Sequence, residues 1–277
     1  MKKPLVTISI PTLNSELFLE KCLDAILQQT YRHIEVIIVD GGSTDKTLEI
    51  AKKKNICNIL LCKSSLLDSR YKGVINSTGK YSLLLDSDQI LGKTTIERAV
   101  KKIEDKKLSM LALEENVYQP KSFIEKLFAE DRKLMHEVKD FSPFTGVILP
   151  RFYKTTLLQK AMNNIPDSVR NEVGGQDHAI IYFEAWKMDQ NIDIVSDAVS
   201  HIEPSSYLVM WKKFYRWGKT SNAAHHKRYE ELLKKKERFR TGLFSEGLIK
   251  ASFASVLLLL LKGIPYKIGY FQAKFFN

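Results

Sequence analysis

One short stretch constrains this chain more than any other: an apolar run that ends in two carboxylates, Tyr81-Ser-Leu-Leu-Leu-Asp86-Ser-Asp88-Gln89. Its length and composition predict a buried β-strand. Because side chains alternate along an extended chain, we expect Asp86 and Asp88 to point to the same side. Such oxygen ligands suit Mg²⁺ or Mn²⁺, which keep positions open for substrate phosphates. The alternative is a solvated turn, or a helix N-cap before residue 94.

Strands and helices are predicted to alternate along most of the chain. Apolar periodicity and turn signals place strands at 5–10, 34–39, 59–62, 81 to about 86, 108–113 and 192–199. The same signals place helices at 16–29, with Ser15 as the N-cap, and at 46–54, 66–76, 94–104 and 179–187. This order predicts an α/β fold with a mostly parallel sheet and helices on both faces.

Polar side chains follow three of the predicted strands. Thr12 and Asn14 follow the first strand, Asp40 and Ser43 follow the second, and the acidic pair ends a later one. Ligands of such folds bind at the carboxyl ends of the strands. We therefore expect these three loops to converge on one crevice.

Charge is distributed very unevenly along the chain. Of 43 Lys and Arg and 32 Asp and Glu, residues 201–277 hold 15 and 5, which leaves 28 and 27 for residues 1–200. A neutral body with a strongly basic tail indicates an anionic partner, either a membrane surface or a nucleic acid. Three cysteines without metal-site spacing fit a reducing compartment. The N-terminal residues predict a strand and no signal peptide.

Several linked motifs point to one protein family. They are Pro11-Thr-Leu-Asn14, Gln28-Gln-Thr-Tyr31, the Glu35–Thr47 segment with Asp40-Gly-Gly-Ser-Thr-Asp45, Ser69-Arg70-Tyr-Lys-Gly73, and Gly79-Lys-Tyr81 leading into the acidic pair. In this order and spacing, over about residues 4–205, the chain resembles family 2 glycosyltransferases. The resemblance implies a GT-A fold, which is Rossmann-like, and transfer of a sugar from a nucleotide-diphosphate sugar with inversion at the anomeric carbon.

The resemblance also implies which residues bind the nucleotide sugar. Pro11, Thr12 and Asn14 would line the nucleoside pocket, and Asp40 would contact the base or the ribose. Many members have a second acidic residue after the one that matches Asp40; this chain has Gly41 there, which leaves the base open.

Arg70 matches the arginine of the family's Ala-Arg-Asn-x-Gly pattern. Its guanidinium suits a diphosphate or a base edge. The alternative is a surface arginine paired with Asp68, because Tyr71 stands where the pattern has asparagine.

The resemblance to the family also implies a metal site at the acidic pair. Asp86, Ser87 and Asp88 would contact the donor, and Asp86 and Asp88 would hold a Mn²⁺ or Mg²⁺ that bridges its diphosphate. This cation offsets charge on the leaving nucleoside diphosphate. Related enzymes place a histidine where this chain has His201, near the metal or the diphosphate. A purely structural histidine is the alternative.

An inverting transfer needs a base on the acceptor side, and Asp177 is the candidate. The segment Gly174-Gly-Gln176-Asp177-His178 resembles the family's Glu-Asp pair, with Gln176 in place of the glutamate. Asp177 as the N-cap of the next helix is the alternative, compatible with a base. We interpret His178 as a helix residue, and residues 141–146 match the loop that flanks the acceptor.

We divide the chain into a catalytic domain over residues 1–205 and a basic, amphipathic helical tail over residues 206–277. In the tail, Arg216-Trp217 resembles the end of the Q-x-x-R-W motif, with Lys213 at the glutamine position. Residues 227–240 predict a charged helix. The uncharged run after it covers only 251–261, shorter than the roughly 20 residues of a spanning helix.

We therefore expect two to four tail helices on or within the cytoplasmic leaflet of the cell membrane. A soluble helical cap with a buried leucine stripe is the alternative.

The leading hypothesis is a metal-dependent sugar transferase acting on a lipid-linked or cell-surface glycan. One alternative is a polyprenyl-phosphate sugar transferase, whose phosphate acceptor needs little help from a base. Others are a nucleotide-sugar-binding protein without turnover and a nucleic-acid-binding protein. The last is disfavoured because the tail combines its cations with a leucine run, so no nucleic acid is expected.

Overall fold

The computed structural model describes residues 3–56, 58–137, 140–144, 148–221, 227–236 and 249–276. Its strands are β1 (Val6–Thr12), β2 (Ile34–Asp40), β3 (Ile59–Leu61), β4 (Tyr81–Leu84), β5 (Gln89–Leu91), β6 (Met110–Val117), β7 (Pro150–Lys154) and β8 (Ile192–His201). Its helices are α1 (Leu19–Leu27), α2 (Thr47–Lys53), α3 (Leu66–Ile75), α4 (Thr95–Asp105), α5 (Phe123–Glu137), α6 (Thr155–Asn163), α7 (Asp167–Arg170), α8 (Asp177–Trp186), α9 (Tyr207–Ser221), α10 (Glu230–Lys236) and α11 (Ile249–Phe276).

The strands form one sheet in the order β3-β2-β1-β4-β7-β6-β8-β5. The β3-β2-β1-β4 half is parallel, and so is the β6–β8 pair. Strand β7 runs antiparallel between β4 and β6, and β5 is antiparallel to β8. All seven residues of β1 are buried, as expected for a central strand with helices on both faces. The mostly parallel α/β fold predicted from the sequence is confirmed.

Strand β1 extends two residues further than the sequence indicated. The predicted strand ended at residue 10, before Pro11, but Pro11 pairs with Val39 and Thr12 pairs with Asp40. The pairing of β1 with β4 ends at Ser9, so from there β1 has a partner on one side only. A proline is tolerated in such a position because no ladder hydrogen bond is lost on the open side.

The start of α1 also differs from the prediction. The helix begins at Leu19 with Phe18 at the N-cap, so the expectation that Ser15 caps a helix from residue 16 was wrong. Ser15 instead lies in the loop, where its hydroxyl accepts a hydrogen bond from Ser87 at 3.0 Å. The polar group that the sequence assigned to a helix end therefore joins two loops of the crevice.

The tail contains one long apolar helix, α11, where the sequence indicated shorter pieces. Together with α9 it packs on α5 through a small apolar cluster that includes Phe128, Met210 and Leu258. Within the described residues one helix is long and apolar enough to cross a membrane, over Phe253–Phe275, and 28% of its most apolar window is buried. Residues 237–240 of the predicted charged helix, and 145–146 of the predicted acceptor loop, lie outside the described residues.

Candidate active site

The ends of β1 and β2 form the first wall of the crevice. Thr12 donates to Asp40 at 3.0 Å, and Asp40 also accepts from the backbone N–H groups of Gly42 and Ser43 and from the Ser43 hydroxyl. Burial raises the pKa of Asp40, but these hydrogen bonds outweigh it and hold the pKa below its ordinary value. Asp40 is therefore an anion that shapes its own loop. Its position beside Thr12 follows from the pairing register of the two strands.

The loop after β1 is fastened to the loop after β2. The Asn14 side-chain oxygen accepts from the Thr44 N–H, and the Asn14 N–H donates to the Ser43 hydroxyl, both at 2.9 Å. Asn14 has a positive φ of 50°, a conformation that asparagine tolerates better than most residues. The structure thus brings together Thr12, Asn14 and Asp40, which the sequence had assigned to one nucleoside pocket.

The acidic pair lies in a turn and not in a strand. Strand β4 ends at Leu84, and the Gln89 N–H donates to the Asp86 carbonyl at 3.1 Å, which closes the turn into β5. The expectation that strand alternation would set the directions of Asp86 and Asp88 therefore relied on a strand that ends before them. The turn is not simply solvated either, because both carboxylates have charged partners within the protein.

Arg70 joins the two halves of the crevice. It lies on α3 and is 2% exposed; its Nη2 is 2.5 Å from Asp86 Oδ1, and its Nε is 2.5 Å from Asp177 Oδ2. Burial raises the pKa of Asp177, but the charge of Arg70 outweighs it, so the pKa lies below the ordinary value. The alternative of a surface arginine paired with Asp68 is therefore wrong: Arg170 is the cation near Asp68, at 3.7 Å.

Asp177 is the first residue of α8 and not its cap. The N-cap is Gln176, which has a positive φ of 64°, and no side chain caps the helix there. The side chain of Asp177 is turned to Arg70 and is only 10% exposed. A buried carboxylate that is ionised at neutral pH can accept a proton from a hydroxyl group placed against it.

Sequence reasoning missed Arg151, which lies on the antiparallel strand β7. Its Nη1 is 3.1 Å from Asp86 Oδ2 and donates to His178 Nε2, and its Nη2 is 3.4 Å from Glu115 Oε1. Burial and the charge of Arg151 lower the pKa of His178 to about 3, so this imidazole is neutral. The one signal in the sequence was a cation inside a short strand-like run, Pro150-Arg-Phe-Tyr-Lys154.

Asp88 has a different set of neighbours. Its Oδ1 lies 3.4 Å from His201 Nε2, and its Oδ2 lies 3.7 Å from the ammonium group of Lys213 on α9. His201 in turn lies 3.3 Å from Glu203, measured from Nδ1 to Oε1. His201 Nδ1 makes no hydrogen bond to Glu203 at this separation. A carboxylate placed behind a metal-binding histidine commonly sets the orientation of its ring.

Three further charged side chains, Arg132, Glu115 and Glu203, lie on the side of His201 away from Asp88. Arg132 on α5 bonds both Glu115, at 2.6 Å, and Glu203. Burial raises the pKa values of these two glutamates, but the charges of Arg132 and of other neighbouring basic groups lower them to about 2. The three side chains are therefore fully charged at neutral pH, and buried charges persist only when they are paired in this way.

Asp88 and His201 lie at a separation that fits a shared divalent cation. Two ligands about 2.1 Å from one ion and at right angles to each other lie about 3 Å apart, close to the 3.4 Å between Asp88 and His201. Asp86 is turned away to its two arginines. Within the described part of the chain, no three acidic, histidine or cysteine side chains converge as a ready-made ligand set. Asp88 and His201 fit a hard cation whose other positions are filled by substrate and water.

The comparison with protein families decides the classification. The model of Glycosyl transferase family 2 matches residues 7–167, which is more than half of the chain. The chain belongs to this family. Curated glycosyltransferases align with the chain over short segments: the glycosyltransferase GlyA of Streptococcus pneumoniae serotype 4 is 37% identical over 103 residues, 35% of this chain and 15% of GlyA. The alignments cover 15% to 38% of the length of the first curated relatives.

Solved structures of other glycosyltransferases share the fold of this family 2 chain. Residues 1–349 of S. aureus TarS, in complex with UDP-GlcNAc, superpose with a TM-score of 0.58 and 17% identity, covering 98% of this chain and 90% of that TarS segment. The mannosyltransferase PcManGT from Pyrobaculum calidifontis, in complex with GDP-Man and Mn²⁺, gives 0.57 and 18%, covering 99% and 85%. At this identity the likeness shows the GT-A fold alone.

Proposed function

We propose that this family 2 glycosyltransferase moves a sugar, with inversion, from a nucleotide-diphosphate sugar to a hydroxyl group of a lipid-linked or cell-surface glycan. The observation that carries the proposal is the double ion pair of Arg70. One guanidinium bonds Asp86, next to the expected donor diphosphate, and Asp177, the expected base, at 2.5 Å each. Such a bridge keeps the donor and acceptor sides at a constant separation, as an in-line displacement requires.

In the proposed reaction Asp177 takes the proton of the acceptor hydroxyl. The acceptor oxygen forms a bond to the anomeric carbon, while the bond from that carbon to the donor phosphate breaks and its electron pair leaves with the nucleoside diphosphate. Arg70 holds Asp177 in its ionised form until the proton is transferred. Thr12, Asn14 and Asp40, with the buried Pro11 of β1, would bind the nucleoside, and Ser87 would lie beside the diphosphate.

Asp88 and His201 would hold the divalent ion, Mn²⁺ or Mg²⁺. When bound, this ion supplies positive charge to the leaving diphosphate. Glu203 orients His201 from behind, and Arg151 holds Asp86 from the side opposite Arg70. In this proposal Asp86 acts on the donor chiefly through the two arginines that it positions.

The acceptor and the location are the further parts of the proposal. The net charge of +10 in residues 201–277, next to an apolar helix, supports work at the cytoplasmic face of the cell membrane, where lipid-linked acceptors are found. A buried, ionised Asp177 favours a hydroxyl acceptor over a polyprenyl phosphate, because a phosphate is already ionised and needs no base.

The direct test is a screen of nucleoside diphosphates and their sugars for stabilisation of the chain against heat, with and without Mn²⁺. A ligand that binds the folded state raises the melting temperature by mass action, so a hit names the base and the sugar together. The hit is then assayed for Mn²⁺-dependent hydrolysis of the donor. If no nucleotide sugar stabilises the chain, the proposed function is wrong; if one stabilises it but is never cleaved, the chain binds donors without turnover.

A further inference from the structure

Helix α11 has two apolar sides, and only one of them is covered. The covered side bears five buried residues: Ala254, Leu258, Pro265, Gly269 and Ala273. The opposite side bears large apolar residues that are 47% to 70% exposed: Phe253, Leu260, Ile264, Ile268, Phe271 and Phe275. Their spacing of three, four or seven residues aligns them as one stripe along the helix. A continuous exposed stripe of this size marks an interaction surface.

The covered side holds α11 against the protein body. A Cβ atom added at Gly218 of α9 would lie 2.0 Å from the Tyr266 carbonyl, and one added at Gly269 would lie 2.1 Å from the Tyr215 carbonyl, so the two backbones touch. Further along, Ser255 of α11 donates to the buried Asp131 of α5 at 2.6 Å. The helix is therefore attached along most of its length.

This attachment is incompatible with a simple crossing of a membrane. The stripe from Phe253 to Phe275 is about 33 Å long, which would suffice to span the hydrocarbon layer. In that orientation α9 would enter the layer as well, because its backbone touches α11 at Gly218. Helix α9 carries four cations, Lys212, Lys213, Arg216 and Lys219, and each is unfavourable inside hydrocarbon.

Two exposed lysines flank the stripe on one side. Lys267 and Lys274 lie about 40° to 60° around the helix from the line of Phe253 and Phe271, as follows from 100° per residue. The ammonium group of Lys274 lies 5.7 Å from the ring of Phe275. Lysines in this position keep their stems on apolar surface and extend their charges to anionic headgroups.

We propose that the α11 stripe is a monotopic docking surface for an anionic lipid bilayer, in which the helix lies parallel to the membrane plane while it remains packed on α9 and α5. The inference rests on the proposed membrane location, and it specifies the face and the depth. The charge of the flanking lysines and of the whole tail selects a lipid surface over a second copy of this basic chain, because two such surfaces repel each other.

The first experiment measures flotation of the full chain with vesicles of phosphatidylcholine, with and without phosphatidylglycerol. Wild type should float with the anionic vesicles. Ile264→Glu and Phe271→Glu should each lower the partition coefficient about tenfold, because each places a charge where apolar surface would be buried. Met188→Glu is the matched control: Met188 is 41% exposed but lies just after α8, and this variant should float like wild type.

The second experiment measures depth, with a nitroxide placed in turn at Phe253→Cys, Ile264→Cys and Phe275→Cys on a background with Cys57→Ser. A helix parallel to the membrane plane puts all three labels at the same shallow depth. A spanning helix puts the middle label deep and the outer two at opposite surfaces, and this result would overturn the inference.

Two other outcomes also contradict the proposal. One is wild type that binds no vesicles. The other is a dimer in solution that Ile264→Glu dissociates while vesicle binding is unchanged, which would assign the stripe to a second copy of the chain. Thermal stabilisation by the nucleotide sugar is measured on the same variants and should equal that of wild type. Wild type that binds the donor but no vesicles overturns this inference alone, whereas wild type that binds no donor overturns the proposed function.

Discussion

Arg151 Nη1 lies 3.1 Å from Asp86 Oδ2, so that with Arg70 on the other oxygen the first acid of the pair is enclosed by two guanidinium groups. The second acid, Asp88, faces an imidazole and an ammonium group instead. Asp86 and Asp88 are separated by one residue in the sequence but have different charged neighbours. Their replacement should therefore change the stability of the protein by different amounts.

Asp86→Ala should destabilise the protein more than Asp88→Ala. The first change leaves two enclosed arginines without a shared counter-ion, and breaking a buried pair in this way costs about 3 kcal/mol. The second change removes a partner of the partly exposed Lys213 and should cost less than about 1 kcal/mol. Urea unfolding of both variants measures the difference directly. If the two variants lose equal amounts of unfolding free energy, Arg70 and Arg151 do not need Asp86 as their counter-ion.

Asp177→Asn should lower the turnover number about 10²- to 10⁴-fold with a hydroxyl acceptor, because the amide cannot take the proton. The KM for the donor should change little, since the role proposed for Asp177 is on the acceptor side. The matched control is Asp167→Asn, an exposed aspartate of α7 that pairs with Arg170. Steady-state kinetics of both variants test the assignment. A loss of less than about twofold would favour the polyprenyl-phosphate alternative, whose acceptor is already ionised.

Glu203→Gln should weaken Mn²⁺ binding about 10- to 100-fold, the usual effect of a residue that orients a metal-binding histidine. Direct titration of Mn²⁺ by electron paramagnetic resonance measures this affinity independently of turnover. Glu130→Gln, at an exposed position of α5 that pairs with Lys133, is the control. If Glu203→Gln binds Mn²⁺ as tightly as wild type, Glu203 does not support His201 as a ligand of the metal ion.

Acid should destabilise the protein partly through the pairs of Arg132. The pKa values of Glu115 and Glu203 fall from the ordinary 4.5 to about 2 in the folded state, so the unfolded chain binds protons first. Their stabilising contribution is complete above about pH 4.5 and is lost as the pH falls towards about 2. Arg132→Met should weaken this dependence. The unfolding free energies of wild type and Arg132→Met are measured across this pH interval. If both change with pH at the same slope, the pairs of Arg132 are not the source of the acid sensitivity.

Gly218→Ala should lower the melting temperature, because its Cβ would lie 2.0 Å from a backbone oxygen of α11 and the two helices would have to separate. Gly263→Ala is the matched control, since a Cβ there meets nothing within 4 Å. Alanine favours a helix by about 1 kcal/mol over glycine, so the control should be slightly stabilised. Differential scanning calorimetry should show a melting temperature below that of wild type for Gly218→Ala and slightly above it for Gly263→Ala.

The proximity of Thr12 and Asp40 could be predicted from the sequence because each residue lies at the carboxyl end of a buried strand. Thr12 and Asp40 became neighbours through a parallel pairing that the alternation of strands and helices already predicted. The same reasoning failed at Asp86 and Asp88 because the strand ends at Leu84, before the acids. Once the chain turns, period-two alternation no longer determines where side chains point.

Other parts of the site could not be predicted because they depend on distant contacts. Arg151 reaches Asp86 only through the insertion of the antiparallel strand β7 between β4 and β6. In the tail we treated Lys262 as an interruption of the apolar run. The lysine lies instead within α11, 3.4 Å from Asp131 and over the ring of Phe128, so its charge is compensated. Sequence periodicity alone carries no information about such compensation.

Helix α9 contributes Lys213 to the acidic crevice and Gly218 to the contact with α11. Shortened versions that end before residue 207, a common choice for improving solubility, would thus remove an ammonium group from beside Asp88 and leave the crevice one charge more negative. Such proteins are expected to repel an incoming diphosphate more strongly and to depend more on added cation. The affinity for a nucleotide-sugar donor measured on such a fragment should therefore be lower than that of the full chain.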